Sequence, residues 1–203
     1  MTLEALLARL RDRLQPSSPD AGTVAVSAPE LDSELAGVRI EVESLGPYLF
    51  FRPGHYTRNL VYRDDAFELV LNCWDAGAVS PVHEHAGQEC WFSIQAGAFL
   101  LENFPLLAGG RVPGHARLGP PECVGPVGVG HVDHRTPSAS VHRVRALDGP
   151  AVSLHVYARP IDSCLVFDLA RQRCHLRQLR YDSVFGRVVR PLPERPQGVD
   201  ARH

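Results

Sequence analysis

Two histidines separated by one residue, His83 and His85, are the first residues in this chain that could do chemistry, and Glu89 and Cys90 follow closely. In a β-strand, residues two apart point to the same face, so both imidazoles can reach one point inside a sheet or barrel. Gly77 and Gly97 flank the stretch at turn positions. A metal held by two imidazoles needs at least one more ligand, and Glu89, His142 and His155 are the candidates. Two histidines with a carboxylate, or three histidines, leave open positions on iron. Three histidines and a water suit zinc. Three neutral imidazoles leave the ion's full dipositive charge, which favours an anionic ligand such as a thiolate. Residue types alone choose neither the metal nor the third ligand. The competing reading is a pair of surface histidines on a strand.

Two other stretches carry polar groups where strands are expected. In residues 55–63, HYTRNLVYR, one face carries Tyr56, Arg58, Leu60 and Tyr62. If that face points inward, the buried guanidinium needs an anionic partner; if outward, Arg58 is simply solvated. In residues 151–158, AVSLHVYA, Val152, Leu154 and Val156 form an apolar face, while Ser153, His155 and Tyr157 share the other. Burying that second face is costly unless its groups are hydrogen-bonded or functional. It reads as the wall of a polar pocket. His131 and His134 lie in a Gly- and Pro-rich polar region and are expected to be solvent-exposed.

The elements that would position these groups are mostly strands. Residues 2–15 place Leu3, Leu6, Leu7, Leu10 and Leu14 on one helical stripe, with Thr2 as cap and Pro16-Ser17-Ser18-Pro19 as stop. This helix is expected to pack outside a barrel. Residues 29–36 suggest a second short helix. From about Val38 the texture becomes β: residues 38–44, 47–52, 55–63 and 66–74 are the expected strands, with Asp64-Asp65 as a hairpin turn. Residues 90–100, 140–146, 151–158, 162–167 and 173–185 supply the rest, and 105–137 should hold loops with short strands. The expected organisation is an N-terminal helical segment (1–37), a β-barrel (38–190) and a flexible tail (191–203).

Composition narrows the function classes. The 203 residues suit one domain, and 44% hydrophobic residues allow a real core. A net charge of −2 gives no electrostatic case for nucleic acid or an anionic membrane. No apolar run approaches a membrane span and no signal-type h-region opens the chain, which predicts a cytoplasmic protein. Five cysteines without a CxxC pair predict reduced thiols.

Gly77-x5-His83-x-His85-x3-Glu89, with Gly97 beyond, resembles the first motif of the cupin superfamily, with one extra residue before the final glycine. Four stretches in order extend the likeness to cysteine dioxygenase, the thiol-oxidising branch of the cupins. They are Tyr56-Thr57-Arg58-Asn59-Leu60; Cys73-Trp74 with His83-x-His85-x4-Cys90; His142-Arg143-Val144; and residues 150–157, PAVSLHVY. They span roughly residues 40–186. The resemblance implies an all-β fold: a single cupin domain, a small β-barrel or jelly roll, with short N-terminal helices outside. It implies His83, His85 and His142 as ligands of a mononuclear Fe(II), with no organic cofactor. Arg58 would clamp the substrate carboxylate and Tyr56 would line the pocket. Tyr157, His155 and Cys90 would be catalytic, with Ser153 and Trp74 supporting them, and Cys90 would form a thioether with Tyr157. Cys164 would lie near the pocket entrance. The implied reaction takes L-cysteine and O2 to cysteine sulfinic acid in a monomeric protein. A dioxygenase for a related thiol such as 3-mercaptopropionate and a non-catalytic metal-binding cupin are the alternatives, and a zinc or manganese isomerase would want Glu89 as ligand. Three positions depart from the expected pattern. Glu89 offers a carboxylate near the site, Ala146 replaces an asparagine common in cupins, and Asn72 stands where an apolar residue is usual.

Overall fold

The computed structural model describes residues 1–14 and 28–189. The proline-based helix stop at 16–19 and the tail from 191 lie outside the described residues. The first helix, α1 (Leu3–Leu14), starts where Thr2 Oγ1 accepts the Ala5 N–H at 3.2 Å, an N-terminal cap. Helices α2 (Ala28–Leu35) and α3 (Val42–Leu45) follow, then a 3-10 turn at Gly46–Tyr48.

The strands of the described residues are β1 (Tyr56–Arg63), β2 (Glu68–Trp74), β3 (Val82–His83), β4 (Cys90–Ala96), β5 (Ala98–Asn103), β6 (Leu106–Gly109), β7 (Gly114–Leu118), β8 (Glu122–Gly128), β9 (Val132–Arg135), β10 (His142–Ala146), β11 (Ala151–Tyr157), β12 (Ser163–Asp168), β13 (Arg173–Gln178), β14 (Ser183–Val184) and β15 (Arg187–Val188). They form two sheets, ordered β15-β14-β1-β2-β11-β4-β9 and β6-β7-β13-β12-β3-β10-β5-β8. The sheets curl into a half-barrel, and the described residues are mostly β.

The first sheet has two differently used faces. Leu69, Leu71, Cys73, Val152, Leu154 and Val156 turn away from the barrel and pack against Leu3, Leu6, Leu10, Leu31 and Leu35 of α1 and α2. The helices therefore close an outer hydrophobic core. The opposite face looks into the barrel and carries the polar groups.

The reading of 38–44 and 47–52 as strands is corrected: the first strand starts at Tyr56, preceded only by an isolated bridge between Arg52 and His55 among the described residues. Val38 and Ile40 are buried while Arg39 is exposed, so the alternation is real as a burial pattern. Among the described residues no neighbouring strand offers a ladder, and from Val42, which is exposed, the chain turns into α3. Ile40 N–H instead donates to Gln95 Oε1 at 3.0 Å, and Glu41 N–H to the Met1 carbonyl at 3.0 Å. The Asp64 turn does form, with Asp64 Oδ1 accepting the Ala66 and Phe67 N–H groups at 2.9 and 3.0 Å. Gly97, between β4 and β5, has φ +77°, and a Cβ there would lie 2.5 Å from Ala151 Cβ. That position therefore requires glycine.

Candidate metal centre

Cross-strand register builds the inner wall in rungs. Tyr56 lies opposite Trp74, which lies opposite Ala151. The next rung is Arg58, Asn72 and Ser153; the next is Leu60, Val70, His155 and Phe92; the last is Arg63, Glu68, Tyr157 and Cys90. Period-two alternation thus puts the polar residues of three strands on one surface.

The histidines come from the other sheet. His83 on β3 pairs directly with His142 on β10. His85 follows β3 in a turn held by Glu84, whose carboxylate accepts N–H groups of Gly87 (3.1 Å) and Leu165 (2.7 Å). The ligating atoms of His83, His85 and His142 all lie within 4.8 Å of one another. Their ring centroids are 4.7 to 5.2 Å apart. Burial lowers the pKa of each, that of His83 to about 4 and those of His85 and His142 well below the usual imidazole value. His83 Nδ1 faces the Pro81 carbonyl at 2.9 Å, which suits Nδ1–H as donor and leaves Nε2 free. Three neutral imidazoles converging without a carboxylate fit a divalent transition metal that keeps open positions.

The three histidines border a cavity of about 40 Å³ that Arg58, Tyr157 and Cys164 also line. Arg58 is buried and points inward. Its Nη2 donates to Glu68 Oε1 at 3.2 Å, and its Cζ sits 5.7 Å from the Tyr157 ring centroid and 5.5 Å from that of Tyr181. Its Nε has no hydrogen-bond partner among the described residues. Glu68, fully buried, also accepts from Arg63 Nη1 at 3.3 Å and from Ile161 N–H at 3.2 Å. Burial pushes the Glu68 carboxyl upward, against the pull of Arg58 and the Ile161 N–H. Burial likewise opposes the Arg58 charge, but Tyr157 and Glu68 outweigh it.

Trp74 Nε1 donates to Ser153 Oγ at 2.8 Å, and Ser153 Oγ lies 2.9 Å from His155 Nε2. Asn72 Nδ2 approaches the same Nε2 at 3.1 Å. With the Asn72 amide so oriented its nitrogen can only donate, so His155 Nε2 accepts and the ring proton sits on Nδ1. Burial, then Arg58, lowers the His155 pKa to about 3. Tyr157 stacks beside His155, with centroids 6.1 Å apart. Burial, reinforced by Cys90, pushes its phenol well above the usual value, and burial pushes the Cys90 thiol up as well.

Of the third-ligand candidates, His142 joins the group, and neither Glu89 nor His155 does. The Glu89 side chain is 35% exposed and faces His134, 4.0 Å away. His134 is not solvent-exposed as expected: it stacks on Trp91 with centroids 4.7 Å apart and rings 1° from parallel. His131 is half-buried. Glu68, Tyr181 and Arg177 were not singled out from sequence. A signal existed for Glu68, since a carboxylate inside the apolar run Phe67–Leu71 needs a partner.

Fold and site together define a β half-barrel whose three converging histidines could hold a metal ion and face a buried guanidinium. A family model described as cysteine dioxygenase type I matches residues 24–170, and the chain belongs to that family. It is 27% identical over 175 residues to cysteine dioxygenase type 1 of Danio rerio, covering 82% of this chain and 79% of that protein. It is 30% identical over 142 residues to cysteine dioxygenase type 1 of Homo sapiens, covering 68% of each. Among solved structures, an RmlC-like cupin protein from Desulfovibrio desulfuricans superposes with a TM-score of 0.38 at 23% identity, covering 55% of this chain and 90% of that one.

Proposed function

We propose that this protein oxidises L-cysteine with dioxygen to cysteine sulfinic acid, using Fe(II) held by His83, His85 and His142. The observation that carries the reading is the convergence of three neutral imidazoles on a small cavity whose opposite wall presents a buried guanidinium with a free Nε–H. When bound, the ferrous ion supplies dioxygen activation and an anchor for the substrate thiolate. The remaining work falls to the chain. Arg58 offers Nε–H to the substrate carboxylate, a charge-assisted bond in a dry site. Its other side is held by Glu68, so its direction is fixed before substrate arrives. Tyr56, stacked on Trp74 with centroids 4.6 Å apart, borders the same cavity. The Tyr157 phenol keeps its proton and can donate a hydrogen bond towards the reacting sulfur. The Trp74–Ser153–His155 chain fixes the imidazole beside it. Apolar Ile161, Val166 and Leu179 restrict water. In the net reaction the sulfur loses four electrons and receives both oxygen atoms, so the balance needs no reductant.

Cys90 stands opposite Tyr157 in register, which supports the formation of a Cys90–Tyr157 thioether with loss of two hydrogens. Intact mass after aerobic turnover should then fall by two hydrogens, and Cys90→Ser should abolish that change. The decisive experiment loads purified protein with Fe(II), adds L-cysteine without oxygen, then admits oxygen and identifies the product. Sulfinate is expected; cystine alone, at the rate of free iron, would sink the reading.

A further inference from the structure

The small cavity opens into a groove of about 760 Å³, and both share Tyr56, Arg58, Ser80, Pro81, Arg177 and Leu179 as lining. The groove is strongly cationic in a chain of net charge −2. Arg52, Arg58, Arg177 and Arg180 border it, and Asp182 is the one acid among its lining residues. Asp182 is already engaged. Its Oδ2 accepts the Arg58 backbone N–H at 3.0 Å, and its Oδ1 lies 3.9 Å from Arg52 Nη1. Glu84, the acid lining the inner cavity, has both oxygens on backbone N–H groups. Neither Arg177 nor Arg180 has an ion pair or side-chain hydrogen bond among the described residues.

Arg177 is exposed at the surface, yet it also lines the inner cavity. On β13 it pairs across to Cys164 of β12, whose side chain lines the inner cavity. Its charge reaches Tyr56 and His83. L-cysteine at neutral pH carries one carboxylate and one ammonium, and Arg58 suffices for that carboxylate. A mouth with further unpaired guanidiniums repels itself unless an anion sits there, and planar guanidiniums match carboxylate geometry.

We propose that Arg177, with Arg52 and Arg180, forms a second anion-binding subsite at the mouth, which takes the distal carboxylate of a thiol longer than cysteine. The inner site would hold the thiol end and the groove the far end, so the substrate class is a small thiol carrying two separated carboxylates. This rests on the thiol-oxidising reading above, and the test keeps the two apart.

The first arm uses metal-free protein and inorganic sulfate, followed by calorimetry in low-salt buffer. Wild type should bind sulfate, and Arg177→Gln/Arg180→Gln should bind it at least fivefold more weakly. Equal binding, or none to wild type, overturns the subsite. The second arm uses Fe(II)-loaded protein with L-cysteine and γ-glutamylcysteine. Wild type should oxidise both, and the double variant should lower the ratio of their kcat/KM values, γ-glutamylcysteine over L-cysteine, at least tenfold. Arg177→Lys should restore part of the ratio. An unchanged ratio, or wild type that oxidises L-cysteine alone, overturns the assignment of ligand class. Protein that oxidises no thiol defeats the functional reading, while the sulfate arm still decides the subsite.

Discussion

To serve as the proposed clamp, Arg58 must be held firmly inside the barrel and still have a hydrogen-bond donor left for a ligand. Glu68 meets the first requirement through one Nη2 contact at 3.2 Å, and the unpartnered Nε meets the second. The charges near this point are Arg58 and Arg63 against Glu68, with Asp162 beside Arg63 largely in solvent. A bound carboxylate would give the free edge of Arg58 its own partner. Arg58→Ala should therefore raise the KM for L-cysteine about tenfold to a hundredfold, the equivalent of one charge-assisted bond of about 1.5–3 kcal/mol. Turnover of cysteamine, which lacks the carboxylate, should change far less; an unaltered KM for L-cysteine would remove the clamp from the reading. Glu68→Gln acts differently. A single amide oxygen cannot accept from Arg58, Arg63 and Ile161 as the two carboxylate oxygens do, and two guanidiniums lose their buried counter-ion. Urea unfolding should show a loss of about 3–5 kcal/mol, and a loss below about 1 kcal/mol would mean that Arg58 is anchored by something else.

At the scale of elements, the strands that carry the site were the most legible part of the chain. Residues 151–157 alternate so cleanly that Ser153, His155 and Tyr157 could be assigned to one face from spacing alone, and the fold puts them on the inner wall. The His83–His142 pairing was not legible in the same way. It depends on β3 lying between β12 and β10, a neighbour relation that local periodicity does not encode. The same holds for Glu68, whose partners are set by the register of β1, β2 and β11. His134 was misread because its local sequence is Gly- and Pro-rich, while its environment is made by β9 pairing with β4, which sets it opposite Trp91. The segment from Val38 was misread for the reverse reason: its alternation is strong, but its hydrogen bonds go to a side chain and to the chain start. Helix α1, by contrast, was given by its leucine stripe, and its role is to cover the outer face of the sheet. Leu6→Ala removes fully buried volume there and should cost about 2–5 kcal/mol in urea unfolding. Because α1 and the pocket lie on opposite faces of one sheet, KM for L-cysteine should stay within about twofold. A large change in KM would show that the helix layer shapes the pocket.

For the molecule as a whole, a cluster of buried neutral histidines ties folding to pH. His155 titrates near 3 and His83 near 4 in the folded protein, and His85 and His142 are also lowered, all first by burial. In the unfolded chain each returns to about 6.5. Above that value both states are unprotonated and nothing is gained or lost. As pH falls below it, the unfolded chain takes up protons that the folded one refuses, so stability drops. Each histidine contributes up to about 1.4 kcal/mol per pH unit until its own folded pKa is reached. Glu68, with its raised pKa, works in the opposite sense, holding a proton in the folded state at pH values where the unfolded chain has released it. Its single contribution is outnumbered by the four histidines. The metal-free protein should therefore show a Tm that is nearly level from pH 8 to 7 and falls steeply from 6.5 to 5. A divalent ion held by the same imidazoles competes with protons, so Fe(II)- or Zn(II)-loaded protein should hold its Tm to lower pH, and a chelator should restore the metal-free profile. Melting curves that are flat between pH 7 and 5 without metal would mean that the histidines are solvated in the folded protein, and the closed three-imidazole centre would have to be abandoned.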